Sequence, residues 1–101
     1  MDGLQIEMFS SELRDRFEKF HADNPHVYKL VKRFTFQAIE RGFQHYSIQS
    51  IFERIRWHAD IETDDPEFKL NNNHRPYYAR LFMEDFPKHE DFFRTREVRA
   101  N

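Results

Sequence analysis

Proline, glycine and asparagine cut this chain into a few segments, and each segment carries its own apolar periodicity. Leu13, Phe17 and Phe20 fall on one face of a helix that follows Ser10 and Ser11 and must stop at Asn24, because the Pro25 ring disfavours helical geometry in the residue before it. The spacing predicts a first helix over about 11–22. Asn24 as N-cap and Pro25 in the first turn then open a second helix over about 25–41, with Val27, Leu30, Val31, Phe34 and Ala38 on one side and Gly42 as its stop.

Ser47 is placed to cap a third helix, the most amphipathic in the chain, whose apolar face is Ile48, Ile51, Phe52, Ile55 and Ala59. Beyond it, Ile61 and Thr63 alternate with acids, Asp64-Asp65-Pro66 has turn chemistry, and Phe68 and Leu70 alternate again. That pattern predicts a short β-hairpin. Pro76 opens a fourth helix through Tyr77, Tyr78, Leu81, Phe82 and Asp85 to Phe86-Pro87, and a helical turn is expected around His89 to Phe93. The expected fold is mainly α with some β (α+β). It has a three-helix, helix-turn-helix-like core, a hairpin in the position of a wing and a C-terminal helix, which together give a winged-helix-like order. At 101 residues it makes one domain, 1–101, with about 1–9 and 95–101 frayed.

Twelve Phe, four Tyr and one Trp must carry most of the burial, since 34% of the residues are charged. With no cysteine, disulfides, thiolate zinc sites and thiol nucleophiles are excluded, and a reducing cytoplasm is compatible. The N-terminus lacks the basic and apolar regions of a signal peptide, and no apolar run approaches the roughly 20 residues that span a bilayer. A cytoplasmic protein without membrane contact is expected.

Catalytic signatures are missing as well. Six histidines show no HExxH pattern, and His58-Ala59-Asp60 offers too few ligands for zinc; the acids Asp60, Glu62, Asp64, Asp65 and Glu67 lack the EF-hand glycine and terminal glutamate. Two glycines cannot build a phosphate loop, and no GxSxG elbow exists. The expectation is a binding protein, not an enzyme, with no cofactor and no metal.

Charge is segregated along the chain despite a net charge of −2. Residues 24–58 hold Lys29, Lys32, Arg33, Arg41, Arg54 and Arg56 against only Glu40 and Glu53. If helices two and three form a helix-turn-helix, Gln49, Ser50 and Arg54 are placed to read base edges, while Lys32, Arg33, Arg41, Arg56 and Lys69 hold phosphates. The five carboxylates of the proposed wing oppose this, because they would be repelled by DNA.

A protein partner is the alternative. Acidic faces at the hairpin and near Glu84-Asp85, with Trp57, Asn72, His74 and Tyr77 as contacts, suit an interface or a DNA-mimicking inhibitor of a host factor, since aromatic anchors carry most interface energy. The run Asn71-Asn72-Asn73 beside Lys69, His74, Arg75 and Arg80 has two readings. Three asparagines shape a turn unaided, or their amides face a polar partner.

The segments Asn24-Pro25-His26-Val27-Tyr28, Phe52-Glu53-Arg54-Ile55-Arg56-Trp57-His58, and Phe68-Lys69-Leu70-Asn71-Asn72-Asn73 through Pro76-Tyr77-Tyr78-Ala79-Arg80 resemble those of small proteins encoded by tailed bacteriophages and prophages. The resemblance covers most of residues 17–96. It implies action in the cytoplasm of a bacterial host, on host machinery or on transcription, and it lends no catalytic residues.

Overall fold

The computed structural model describes residues 3–65 and 68–94, with side chains from Ser11 onward. Four helices form it: α1 (Gly3–Asp23), α2 (Pro25–Glu40), α3 (Ile48–Trp57) and α4 (Arg75–Asp85). Helix α1 starts at Gly3, well ahead of the expected residue 11, so the segment 3–9 continues a helix; residues 1–2 and the tail 95–101, for which fraying was expected, lie outside the described residues.

Local chemistry explains the helix ends. Asn24 separates α1 from α2 as expected, but its amide does not cap α2; Nδ2 and the backbone N–H both donate back to the Phe20 carbonyl, at 3.0 and 2.8 Å, and so finish α1. Helix α2 closes with the Gly42 N–H on the Ile39 carbonyl (2.9 Å) and the Phe43 N–H on the Ala38 carbonyl (3.2 Å), the paired bonds of a Schellman motif. Gly42 supplies the left-handed residue that motif requires, with φ +97°. Ser47 caps α3 through Oγ, which accepts from the Gln49 and Ser50 N–H groups at 3.1 and 3.4 Å.

The hairpin and the winged-helix arrangement are overturned. Where a first strand was expected, α3 runs on into a π-helical turn, His58–Glu62, which buries Ala59 and is closed by the Thr63 hydroxyl donating to the Ala59 carbonyl at 2.7 Å. Phe68 and Leu70 follow in irregular chain with no partner strand among the described residues. Among the described residues the one β contact is an isolated parallel bridge between Tyr46 and Phe93. Two apolar residues on each side of a turn give too little alternating surface to hold a hairpin, whereas extending a helix that already has an apolar face buries Ala59 at once. The segment between α2 and α3 spans 41–47, also longer than the 3–4 residues of about one tight turn in a helix-turn-helix.

The asparagine run makes a 3₁₀ turn, Asn72–His74, that leads directly into α4. Asn71 Oδ1 accepts from the Asn73 N–H at 2.8 Å, so this side chain shapes its own turn, as the first reading of the run expects. A second short turn, Pro87–His89, follows α4, a little earlier than the expected His89 to Phe93, and returns Phe92 and Phe93 to the core.

The core is aromatic, and Tyr78 of α4 is its hub. It is fully buried, with Phe17 of α1 edge-on at 4.8 Å between ring centroids, Phe52 of α3 at 6.0 Å and Tyr28 of α2 at 6.2 Å. One ring thereby touches the other three helices. Tyr28 anchors α2 to α4 by donating its hydroxyl to Asp85 Oδ2 at 2.5 Å, with the Leu81 carbonyl at 3.4 Å. Burial, reinforced by that carboxylate, pushes the Tyr28 phenol well above its ordinary range.

Candidate functional site

The cationic residues of the middle segment divide: Arg33, Arg41 and Arg54 lie around Phe34, whereas Lys32 and Arg56 are engaged elsewhere. Arg54 lies over the Phe34 ring at 4.3 Å and donates through Nη1 to Glu62 Oε1 at 2.5 Å. Its hydrogen bond, with a smaller contribution from His58 at 3.3 Å, holds the Glu62 carboxyl below its ordinary range. Arg33 approaches the same ring at 5.2 Å, so Arg33, Arg54 and Glu62 form one cluster on Phe34.

Arg56 is a structural tie. It donates to Glu53 at 2.9 Å, to the Leu70 carbonyl at 2.7 Å and to Asn72 Oδ1 at 2.6 Å, fixing the chain after the π-turn against α3. Few of its donors remain for phosphate. Lys32 sits 4.8 Å over the Tyr28 ring, and Lys69 lies on the α1 side of the molecule, in a cleft with Arg16, Lys19 and Asp23. Arg41, Ser50 and Arg54 do share a shallow groove between α2 and α3, of about 200 Å³, floored by Phe34 and Ile51. Gln49 accepts from Arg75 Nη1 at 3.1 Å.

Of the four expected protein contacts, one is presented to solvent as an apolar anchor. His74 is buried between Phe17 and Phe20, and desolvation lowers its pKa. Tyr77 stacks on Phe17 at 5.2 Å and is half-buried, and Asn72 is exposed with its amide oxygen held by Arg56. Trp57, in contrast, is 58% exposed.

Two features were not found from the sequence. Ile61 is 63% exposed and lies about one turn beyond Trp57, where helix continuation replaced the expected strand. In the same stretch of chain the exposed carboxylates are Glu53 and Glu62, held by Arg56 and Arg54, and Asp60, Asp64 and Asp65, which hold no ion pair among the described residues. The second feature is a cavity of about 750 Å³ at the opposite end of α3, lined in part by His45, Ser47, Gln49, Arg75 and Arg94. None of its described lining residues is acidic. No local pattern marks it, because the Tyr46–Phe93 bridge is what brings the chain around Arg94 to α3.

Among the described residues no group of three or more His, Asp or Glu side chains is arranged to hold a metal ion, and no helix is long and apolar enough to cross a membrane. Compared with known proteins, the chain matches no family model, no curated protein and no solved structure.

Proposed function

We propose that this chain is a protein-binding module that presents Trp57 and Ile61, in a stretch of chain with the acids Asp60, Asp64 and Asp65, unpaired among the described residues, to a partner segment carrying apolar residues flanked by Lys or Arg. The observation that carries the reading is the exposure of these two large apolar side chains, 58% and 63%, one turn apart in that stretch. Covering the exposed part of a Trp removes on the order of 100 Å² of largely apolar surface from water and contributes about 2–3 kcal/mol, the scale of an interface hot spot. The three acids select a basic partner and speed its approach. For a phage-encoded chain, which the motif resemblance suggests, that partner is a host protein.

Trp57 is the sole tryptophan, so its emission reports on this surface directly. A partner captured with the wild-type chain is titrated back while emission is recorded, and its bound segment is mapped with overlapping peptides. The reading requires a blue shift, at least tenfold weaker binding by Trp57→Ala (the equivalent of about 1.4 kcal/mol), and a segment with basic residues beside its apolar ones. Unchanged emission together with unchanged affinity of the variant would refute it.

DNA binding across α2 and α3 has less support, because Arg54 and Arg56 hold carboxylates and Lys69 lies elsewhere. Salt-dependent anisotropy with duplex DNA that is lost in Arg41→Ala would reverse this order.

A further inference from the structure

We infer that the cavity at the N-terminal end of α3 is a binding site for a small organic phosphate ester. The site lies about 15 Å along α3 from Trp57, the length of a ten-residue helix, and the inference is independent of the protein-binding proposal.

Two arginines face this cavity from different parts of the chain, Arg75 from the start of α4 and Arg94 from the segment after Phe93. Arg75 is held in place from two directions, with Nη1 donating to Gln49 Oε1 at 3.1 Å and Nε to the Asn72 carbonyl at 3.0 Å. Its Nη2 group makes no bond to another described residue. Arg94 is exposed and holds no ion pair among the described residues. His45 donates from Nδ1 to the Asp91 carbonyl at 3.0 Å, which fixes its ring beside the cavity, and the exposed Asp91 side chain does not line the site.

The helix end adds to this. Ser47 Oγ accepts the Gln49 and Ser50 amides, and the Ile51 amide bonds to the Ser47 carbonyl, so the Ile48 N–H has no partner among the described residues. A helix N-terminus carries partial positive charge and ordinarily attracts acids, but here two arginines are brought to it. The first turn of α3 carries no acid either, so this positive end has no counter-charge among the described residues. A doubly charged oxyanion supplies one, taking charge-assisted bonds from both guanidinium groups and one from the Ile48 amide.

Volume and lining choose the class of anion. The cleft is open to solvent on one side and, at about 750 Å³, has room for an organic group beside a phosphate. Tyr46, Ile48 and Pro76 supply an apolar wall beside the cations, so the organic part of an ester has a surface to cover.

Amide NMR of the isotope-labelled full chain, titrated with inorganic phosphate and with adenosine monophosphate against chloride at matched ionic strength, tests the assignment. The expected result is saturable shifts centred on Ile48, Gln49 and Arg75, with the ester binding more tightly than inorganic phosphate. Arg94→Ala should weaken both by about tenfold, and Arg75→Lys, which keeps the charge but loses the fork, should weaken the ester. Shifts spread over the whole surface, equal affinity in Arg94→Ala, or no saturation up to about 10 mM ester would overturn it. Arg94 lies outside the core and α4, so the first variant keeps the test independent of folding.

Discussion

Two buried tyrosines predict opposite signs for the same substitution. The Tyr78 hydroxyl is fully buried and has no hydrogen-bond partner among the described residues, whereas the Tyr28 hydroxyl donates to Asp85 at 2.5 Å. Leaving a hydroxyl unpaired in the interior costs about 1–3 kcal/mol, because the unfolded chain hydrates it. Tyr78→Phe removes that cost at the expense of a gap of one oxygen atom, so a net gain of about 1 kcal/mol is expected. Tyr28→Phe loses a bond to a carboxylate, but Asp85 is exposed and regains water, which limits the loss to about 1 kcal/mol. For a domain of this size 1 kcal/mol moves Tm by about 4–8 °C. Urea unfolding followed by far-ultraviolet circular dichroism separates the two, with the midpoint rising for Tyr78→Phe, falling for Tyr28→Phe, and the slope unchanged in both. A Tyr78→Phe variant as destabilised as Tyr28→Phe would show that the Tyr78 hydroxyl is bonded, and the reasoning would fail.

Other perturbations follow from the same geometry. Because burial lowers the His74 pKa below its ordinary 6.5, the unfolded chain takes up a proton first, so stability is full above pH 6.5 and declines as pH falls towards the folded-state value. A His74→Phe variant should flatten that part of the stability profile, by up to about 1.4 kcal/mol per pH unit, and an unchanged profile would assign the decline to other groups. Arg56→Ala should cost about 1–2 kcal/mol by releasing the Leu70 carbonyl and Asn72, against no more than about 0.5 kcal/mol for Arg33→Ala; equal losses in thermal melts would deny Arg56 its tying role. Gly42→Ala should destabilise by about 1 kcal/mol through backbone strain alone, since a Cβ there meets nothing within 4 Å, and a neutral result would contradict the Schellman closure of α2.

Which parts of the fold could be read from the sequence depends on the range of the forces involved. Ser47, Gly42, Pro25 and Pro76 act on their own backbone neighbours, so the ends of α2 and the starts of α3 and α4 were legible within a residue or so. The segment after α3 was not, because alternation at Ile61, Thr63, Phe68 and Leu70 is weak local evidence, and helix continuation wins by burying Ala59. Arginine roles were the least legible. Arg56 finds its partners at Leu70 and Asn72, and Arg75 and Arg94 meet only through the packing of α4 and the returning chain against α3. Composition records such charges without recording whether Glu62 or a backbone carbonyl already holds them.

The Tyr46–Phe93 bridge joins residues nearly half the chain apart, so closing it sacrifices loop entropy for very little backbone pairing of its own. The closure is held instead by Phe92 and Phe93 entering the core. A ligand spanning Arg75 and Arg94 would act as a staple across this seam, slowing the release of Phe92 and Phe93, so occupancy could be measured as resistance to digestion around these two residues.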